Sequence, residues 1–153
     1  MKKHLLKAED IQSQPEEVRV HPLNPNAVRH FHSLGDAVGM KRLGVHLARI
    51  EPGRDTTETH FHYQEEEFLY ILSGRGVARI GEEEVEVGPG DFMGFTAPSL
   101  PHNLKNPFNE DLVYLVGGER LPYDVVDYSD AKKRLYRGYP ERQLIDWDHL
   151  QKS

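Results

Sequence analysis

The sequence predicts an all-β fold, a sandwich or barrel of short strands. Three observations carry that prediction. Apolar residues fall in short runs, the runs end at glycine and proline, and no segment sustains a helical period. The chain has 153 residues, enough for one domain with a core and some terminal extension.

The runs are Leu43–Ile50, Glu67–Leu72, Gly76–Ile80, Val85–Val87, Asp91–Phe95, His102–Asn106 and Leu112–Val116. Their breaks are Pro52-Gly53, Ser73-Gly74, Gly81-Glu82, Gly88-Pro89-Gly90 and Asn106-Pro107. Such punctuation supplies the turn residues that antiparallel strands need. In Glu67–Leu72, Leu69 and Ile71 share one face while Phe68, Tyr70 and Leu72 share the other, so this strand reads as buried on both sides. Residues 1–40 are polar and interrupted by Pro15, Pro22, Pro25, Gly35 and Gly39, with a short extended piece at Val18–Val20. They read as an N-terminal arm packing on a barrel of residues 41–118. Residues 119–153 read as a C-terminal arm with short helical turns near Ser129–Tyr136 and Ile145–Gln151, docked through Trp147. Glu82, Glu83 and Glu84 read as a solvated turn, and Lys132, Lys133 and Arg134 as a solvated face.

Composition narrows the function. A net charge of −6 disfavours nucleic acid and anionic membranes as partners. No apolar stretch is long enough for a transmembrane helix. The start MKKHLLKAED lacks the apolar segment of a secretory signal, so a cytoplasmic protein is expected. The absence of cysteine excludes disulfides, thiolate nucleophiles and cysteine-ligated metals. Any metal must be held by nitrogen and oxygen.

Histidines supply the candidate site. His60 and His62 flank Phe61, and alternate side chains of a strand point to one face. Two imidazoles on one face are a platform for a divalent metal. Glu67 heads an apolar run, where a carboxylate is costly unless it is paired or bound to metal. His102 opens another run. A nitrogen and carboxylate set without thiolate suits iron, manganese, nickel, zinc or copper. A second pair, His30 and His32 around Phe31, serves as an internal control, because no carboxylate follows it at matching spacing. It reads as a surface feature. His46, alone in its run, reads as a core or face histidine.

The combined pattern is more specific than its parts. Gly53, His60, His62, Glu67 and Gly74 run as G-x6-H-x-H-x4-E-x6-G, and Gly90, Asp91, Pro98, His102 and Asn106 run as G-D-x6-P-x3-H-x3-N. These two blocks resemble the paired motifs of the cupin superfamily. The interval from Gly53 to His60 is one residue longer than the family's usual spacing. The segments Arg42–Leu47, Glu65–Gly74, Val116–Arg120 and Asp124–Tyr128 are similar to those of small bacterial single-domain cupins, a branch mostly without an assigned reaction. The resemblance implies a double-stranded β-helix, or jelly-roll barrel, with a metal held by His60, His62, Glu67 and His102. Asn106 matches a motif position that supports structure.

A metal with four protein ligands keeps two octahedral positions open. That layout serves a dioxygenase, a decarboxylase or lyase, or an isomerase acting on a small oxygenated organic molecule, with Glu67 able to take a proton. The alternative is a non-catalytic module that binds a small ligand or metal. Met93, Phe95, Arg49 and Tyr70 are candidate lining residues, against ordinary packing or surface roles for each. The outward apolar positions Phe68, Tyr70 and Leu72 suggest a homodimer, against cover by the chain's own arms.

Overall fold

Strands form where apolar and polar side chains alternate, and they pair antiparallel throughout. A computed structural model describes residues 4–138 and 141–151. The order opens with a short helix α1 (Ala8–Ser13), strands β1 (Glu17–His21) and β2 (Asn24–Ser33), and a helical turn α2 (Leu34–Ala37). The central strands are β3 (Leu43–Ile50), β4 (Phe61–His62), β5 (Glu67–Ser73), β6 (Gly76–Ile80), β7 (Glu83–Val87), β8 (Phe92–Phe95), β9 (His102–Lys105) and β10 (Leu112–Glu119). The chain closes with β11 (Asp124–Tyr128), β12 (Lys133–Arg137), β13 (Gln143–Asp146) and a 3-10 turn at Trp147–His149.

Three sheets result. The largest has the order β1-β2-β3-β10-β5-β8, a second runs β7-β6-β9, and a third runs β13-β12-β11-β4. The main core joins the first two: Ile50, Ile71, Leu112 and Tyr114 of the large sheet pack with Ala78, Val87 and Leu104 of the small one. Fully burying an Ile or Leu side chain contributes about 1.5–3 kcal/mol. Gly74 closes the β5–β6 connection at φ +76°, and a Cβ there would stand 2.2 Å from the Asp111 carbonyl oxygen. Glycine is needed on both counts. Gly81 and Glu82 form the two-residue turn between β6 and β7, whose strands pair Ile80 with Glu83. Asn106 is buried and structural. Its amide donates to the carbonyls of Ile50 at 2.9 Å and Glu110 at 2.8 Å and accepts from the Phe108 N–H.

The termini differ from the arms that the sequence suggests. β1 and β2 extend the large sheet, β2 pairing with β3 in the register Phe31 to Ala48. Residues Ser129–Tyr136 do not form a helical turn; they are the end of the β11–β12 hairpin. β11 also pairs with β4, Val126 opposite His62, so the C-terminal segment is built into the fold. Because the N-terminal hairpin adds to the sheet edge, it leaves the outer face of β5 uncovered. Tyr70 is 40% and Leu72 44% exposed, so β5 is buried on one side only.

Asp127 ties the third sheet together. It accepts from Tyr63 Oη at 2.6 Å, Arg134 Nε at 2.8 Å and Trp147 Nε1 at 3.2 Å. Arg134 is therefore an ion-pair partner of a buried carboxylate and not a solvated side chain, and Trp147 docks through its indole N–H. Burial pushes the Asp127 pKa up, but the Arg134 and Tyr63 hydrogen bonds outweigh it and hold the carboxyl below its ordinary value. Such a group stabilises the fold above the unfolded carboxylate pKa of about 4, and that contribution is lost as pH falls through the folded pKa. Asp127→Ala is expected to cost about 3 kcal/mol at pH 7, by leaving Arg134 without its partner. Thermal unfolding of the variant and the parent should converge as pH drops below about 4.

Candidate metal centre

Backbone pairing places the first two histidines. His60 and His102 face each other and exchange both main-chain hydrogen bonds, at 3.2 and 2.9 Å. Upstream, Asp55 bridges to Lys105, so the chain takes five steps on one side against three on the other. The bulge absorbs the extra residues between Gly53 and His60. It also places the Glu58 carbonyl 2.8 Å from His60 Nδ1. His62 follows on β4, and Glu67 opens β5 and lines the same cavity as these histidines.

All three rings are oriented by their outer nitrogen. His60 Nδ1–H donates to the Glu58 carbonyl at 2.8 Å, His102 Nδ1–H to the Leu100 carbonyl at 2.9 Å, and His62 Nδ1–H to Asp124 Oδ2 at 2.6 Å. Each acceptor fixes a proton on Nδ1 and turns Nε2 inward. The inward atoms meet at Glu67: Oε1 lies 2.6 Å from His102 Nε2 and 3.4 Å from His60 Nε2, and Oε2 lies 3.8 Å from His62 Nε2. Phe95 stacks flat on the His102 ring, centroids 3.5 Å apart. The donor atoms of His60, His62 and Glu67 lie within 4.8 Å of one another, and His102 Nε2 borders that group. Three imidazole nitrogens and a carboxylate in this arrangement fit a divalent transition metal.

The electrostatics agree with that chemistry. Burial alone would raise the Glu67 pKa, yet hydrogen bonds from His102 and His60 hold it well below the ordinary carboxylate value. Burial pushes His62 down, but the Asp124 hydrogen bond and the charges of Glu67 and Asp124 make its net shift upward. His62, Glu65 and Asp124 also cluster within 4.8 Å. Their carboxylates are already engaged. Asp124 Oδ1 accepts from the Gln64 and Val125 N–H groups, each at 2.9 Å, and Glu65 accepts from the Leu121 N–H and from Arg137. That cluster buttresses His62 from behind.

The histidines outside the set take other roles. His30 lies between Glu16 at 3.3 Å and Glu51 at 2.8 Å, away from the donor cluster. His46 packs edge-on against Phe31, and burial pushes its pKa down to about 4. A cavity of about 710 Å³ opens over the donor set. Met93 and Phe95 line it, while Arg49 and Tyr70 do not, because Ala48, Ile50, Leu69 and Ile71 take the inward positions of their strands. The sequence does not single out Asp124, Arg19, Arg29, Arg142, His21 or Tyr128. Asp124 supports a site histidine and the others line the cavity. They come from the terminal segments, and only long-range strand pairing brings them in.

Fold and site define a β-sandwich protein whose central cavity carries an inward nitrogen and oxygen donor cluster. The chain matches the family model for the cupin domain over residues 46–118, and it belongs to the cupin superfamily. It is 45% identical to a protein of Acidithiobacillus ferrooxidans that bears a provisional sugar phosphate isomerase name. That match covers 99% of this chain and 97% of the other, with a TM-score of 0.97. A cupin of Silicibacter pomeroyi, named a sugar phosphate isomerase, is 27% identical over 97% of this chain and 96% of its own, with a TM-score of 0.82. An uncharacterised protein of Methanocaldococcus jannaschii is 39% identical over 66 residues, 43% of this chain. The chain spans about half of that relative, 52% of its length.

His62→Ala should remove most bound metal while leaving the circular dichroism spectrum unchanged, because the core lies elsewhere. Asp124→Asn should weaken metal affinity about 10–100-fold by releasing the His62 ring. His32→Ala should leave metal content as it is. Elemental analysis after dialysis against a defined metal buffer checks all three.

Proposed function

We propose that the chain is a divalent-metal enzyme that moves a proton between adjacent carbons of a small hydroxyaldehyde or hydroxyketone. The carrying observation is the donor set of His60, His62, Glu67 and His102, its Nε2 atoms turned toward one carboxylate beneath a cavity of about 710 Å³. Of the three reaction classes open to such a set, the full-length likeness to a protein with a sugar phosphate isomerase name favours the isomerase.

A divalent ion bound there supplies Lewis acidity to a carbonyl and its neighbouring hydroxyl. The protein's part is to hold and move protons. Isomerisation breaks one C–H bond at the hydroxyl-bearing carbon and forms one at the carbonyl carbon, while the hydroxyl proton moves to the other oxygen. No oxidant is consumed. Glu67 takes the carbon-bound proton in this reading, as the one carboxylate among the residues that line the cavity. Leu69, Met93 and Phe95 form an apolar wall that limits water around the reacting carbons. The acting unit in this reading is a homodimer, supported by the exposed apolar side chains of Tyr70, Leu72 and Phe92 on the outer face of the large sheet.

The test is nuclear magnetic resonance in deuterium oxide. Metal-loaded protein is mixed with aldoses and ketoses of three to six carbons, free and phosphorylated. Deuterium should enter the carbon next to the carbonyl of one member, together with the isomeric product. Glu67→Gln should lower that rate at least about 100-fold, measured per bound metal. Oxygen uptake or carbon dioxide release without deuterium incorporation would assign the site to one of the other classes.

A further inference from the structure

Most arginines outside the cavity pair with carboxylates, among them Arg49 with Glu16, Arg79 with Asp130, Arg120 with Asp36 and Arg134 with Asp127, while Arg42 and Arg54 are exposed to solvent without one among the described residues. Arg19, Arg29 and Arg142 differ. All three line the central cavity, and among the described residues none has a carboxylate within ion-pair distance. Arg19 and Arg29 stand directly opposite each other on β1 and β2. Like charges so placed destabilise a strand pair. Their guanidinium carbons sit 5.2 and 5.5 Å from the centre of the Phe31 ring, which holds both. Arg142 enters from the C-terminal segment.

Charge inside the cavity runs against charge outside it. The chain carries a net −6, yet Glu67 is the single carboxylate among the residues lining the cavity. Two further rings that line the same cavity, His21 and Tyr128, lead to the donor cluster. His21 meets Tyr128 edge-on with centroids 5.4 Å apart, and Tyr128 lies 6.1 Å from His60. His21 Nδ1 accepts the Leu23 N–H at 3.1 Å, which leaves Nε2 to carry a hydrogen. Burial, followed by the charges of His60, Arg29 and Arg142, pushes the His21 pKa down to about 4, so the ring is neutral near pH 7.

We propose that Arg19, Arg29 and Arg142 form a subsite for the phosphoryl group of a substrate whose carbonyl end lies at His60, His62, Glu67 and His102. The assignment rests on reading the cavity as a substrate chamber and names the substrate class, a phosphate monoester of a hydroxyaldehyde or hydroxyketone. One guanidinium satisfies a carboxylate, whereas a phosphoryl dianion presents three oxygens and enough charge for several donors. An anion there relieves the repulsion between Arg19 and Arg29, which no carboxylate among the described residues pairs with.

Calorimetric titration separates this subsite from the metal reading. Inorganic phosphate, ribose 5-phosphate, ribose and succinate are titrated into metal-loaded protein and into protein stripped with a chelator. Phosphate should bind both forms, and ribose 5-phosphate should bind at least 100-fold more tightly than ribose. Arg29→Gln and Arg19→Gln should each weaken phosphate binding tenfold or more with metal content unchanged, and Arg29→Lys should restore part of the loss. Arg19 lies on the exposed hairpin, so its variant remains informative if Arg29→Gln misfolds. Unchanged phosphate binding in Arg19→Gln, or succinate binding more tightly than phosphate, overturns the subsite. Arginine-dependent phosphate binding in a protein that takes up no metal supports the subsite and removes the metal reading. Normal metal loading with no phosphate binding does the reverse.

Discussion

An imidazole has two ring nitrogens, and it can aim one only if something holds the other. The candidate centre depends on that constraint. Carbonyls of Glu58 and Leu100 and the carboxylate of Asp124 each take an Nδ1–H, so three rings present Nε2 to the same carboxylate. Two of those acceptors are backbone atoms, fixed by the local chain path. A carbonyl two residues before each histidine serves as the brace, which needs a bend before the ring. The bulge ahead of His60 supplies one such bend. His60 and His102 then lock together through their main chains, so moving either moves both.

The third brace is a side chain, and it shows how the ends of the chain serve the centre. Asp124 belongs to β11, which reaches His62 by pairing with β4. Its own position is held by the Gln64 N–H and by the pairing of β11 with β12. β12 is in turn secured by Arg134 on Asp127 and by Arg137 on Glu65. The chain of dependence runs from Trp147 at the C-terminus to the ring of His62. A carboxylate behind a ligating histidine raises its basicity as well as fixing it. The C-terminal strands therefore act on the centre through the Asp124 hydrogen bond and through the pairing of β11 with β4.

Much of this was legible in the sequence, and what was not has a common cause. β3, β5, β6 and β10 can be read because their inward residues are apolar and their ends carry turn signals. His60, His62, Glu67 and His102 can be read because their spacing is local to two motif blocks. β2 and β11 escape the same reading. Their inward positions include Arg29 beside Ala27 and Phe31, and Asp124 beside Val126 and Tyr128. A strand that lines a polar cavity loses the alternation by which strands are recognised. The residues that make the cavity chemically specific are the ones that hide its strands. Asp124 is 62 positions from His62, so no local spacing could link them.

The distribution of charge follows from the same geometry. A carboxylate as buried as Glu67 would ordinarily hold its proton. Here hydrogen bonds from His102 and His60, with the charge of His62 behind them, keep it ionised. The negative charge at the donor end is thus stabilised by histidines whose own orientation is fixed from outside. On the side of the cavity formed by β1 and β2, Arg19 and Arg29 have no such compensation from a carboxylate among the described residues. One end of the cavity is electrostatically satisfied by its own side chains, and the other is left for a solute. A molecule that spans both needs oxygen donors at one end and negative charge at the other, and the two ends select independently because they are built from separate stretches of chain.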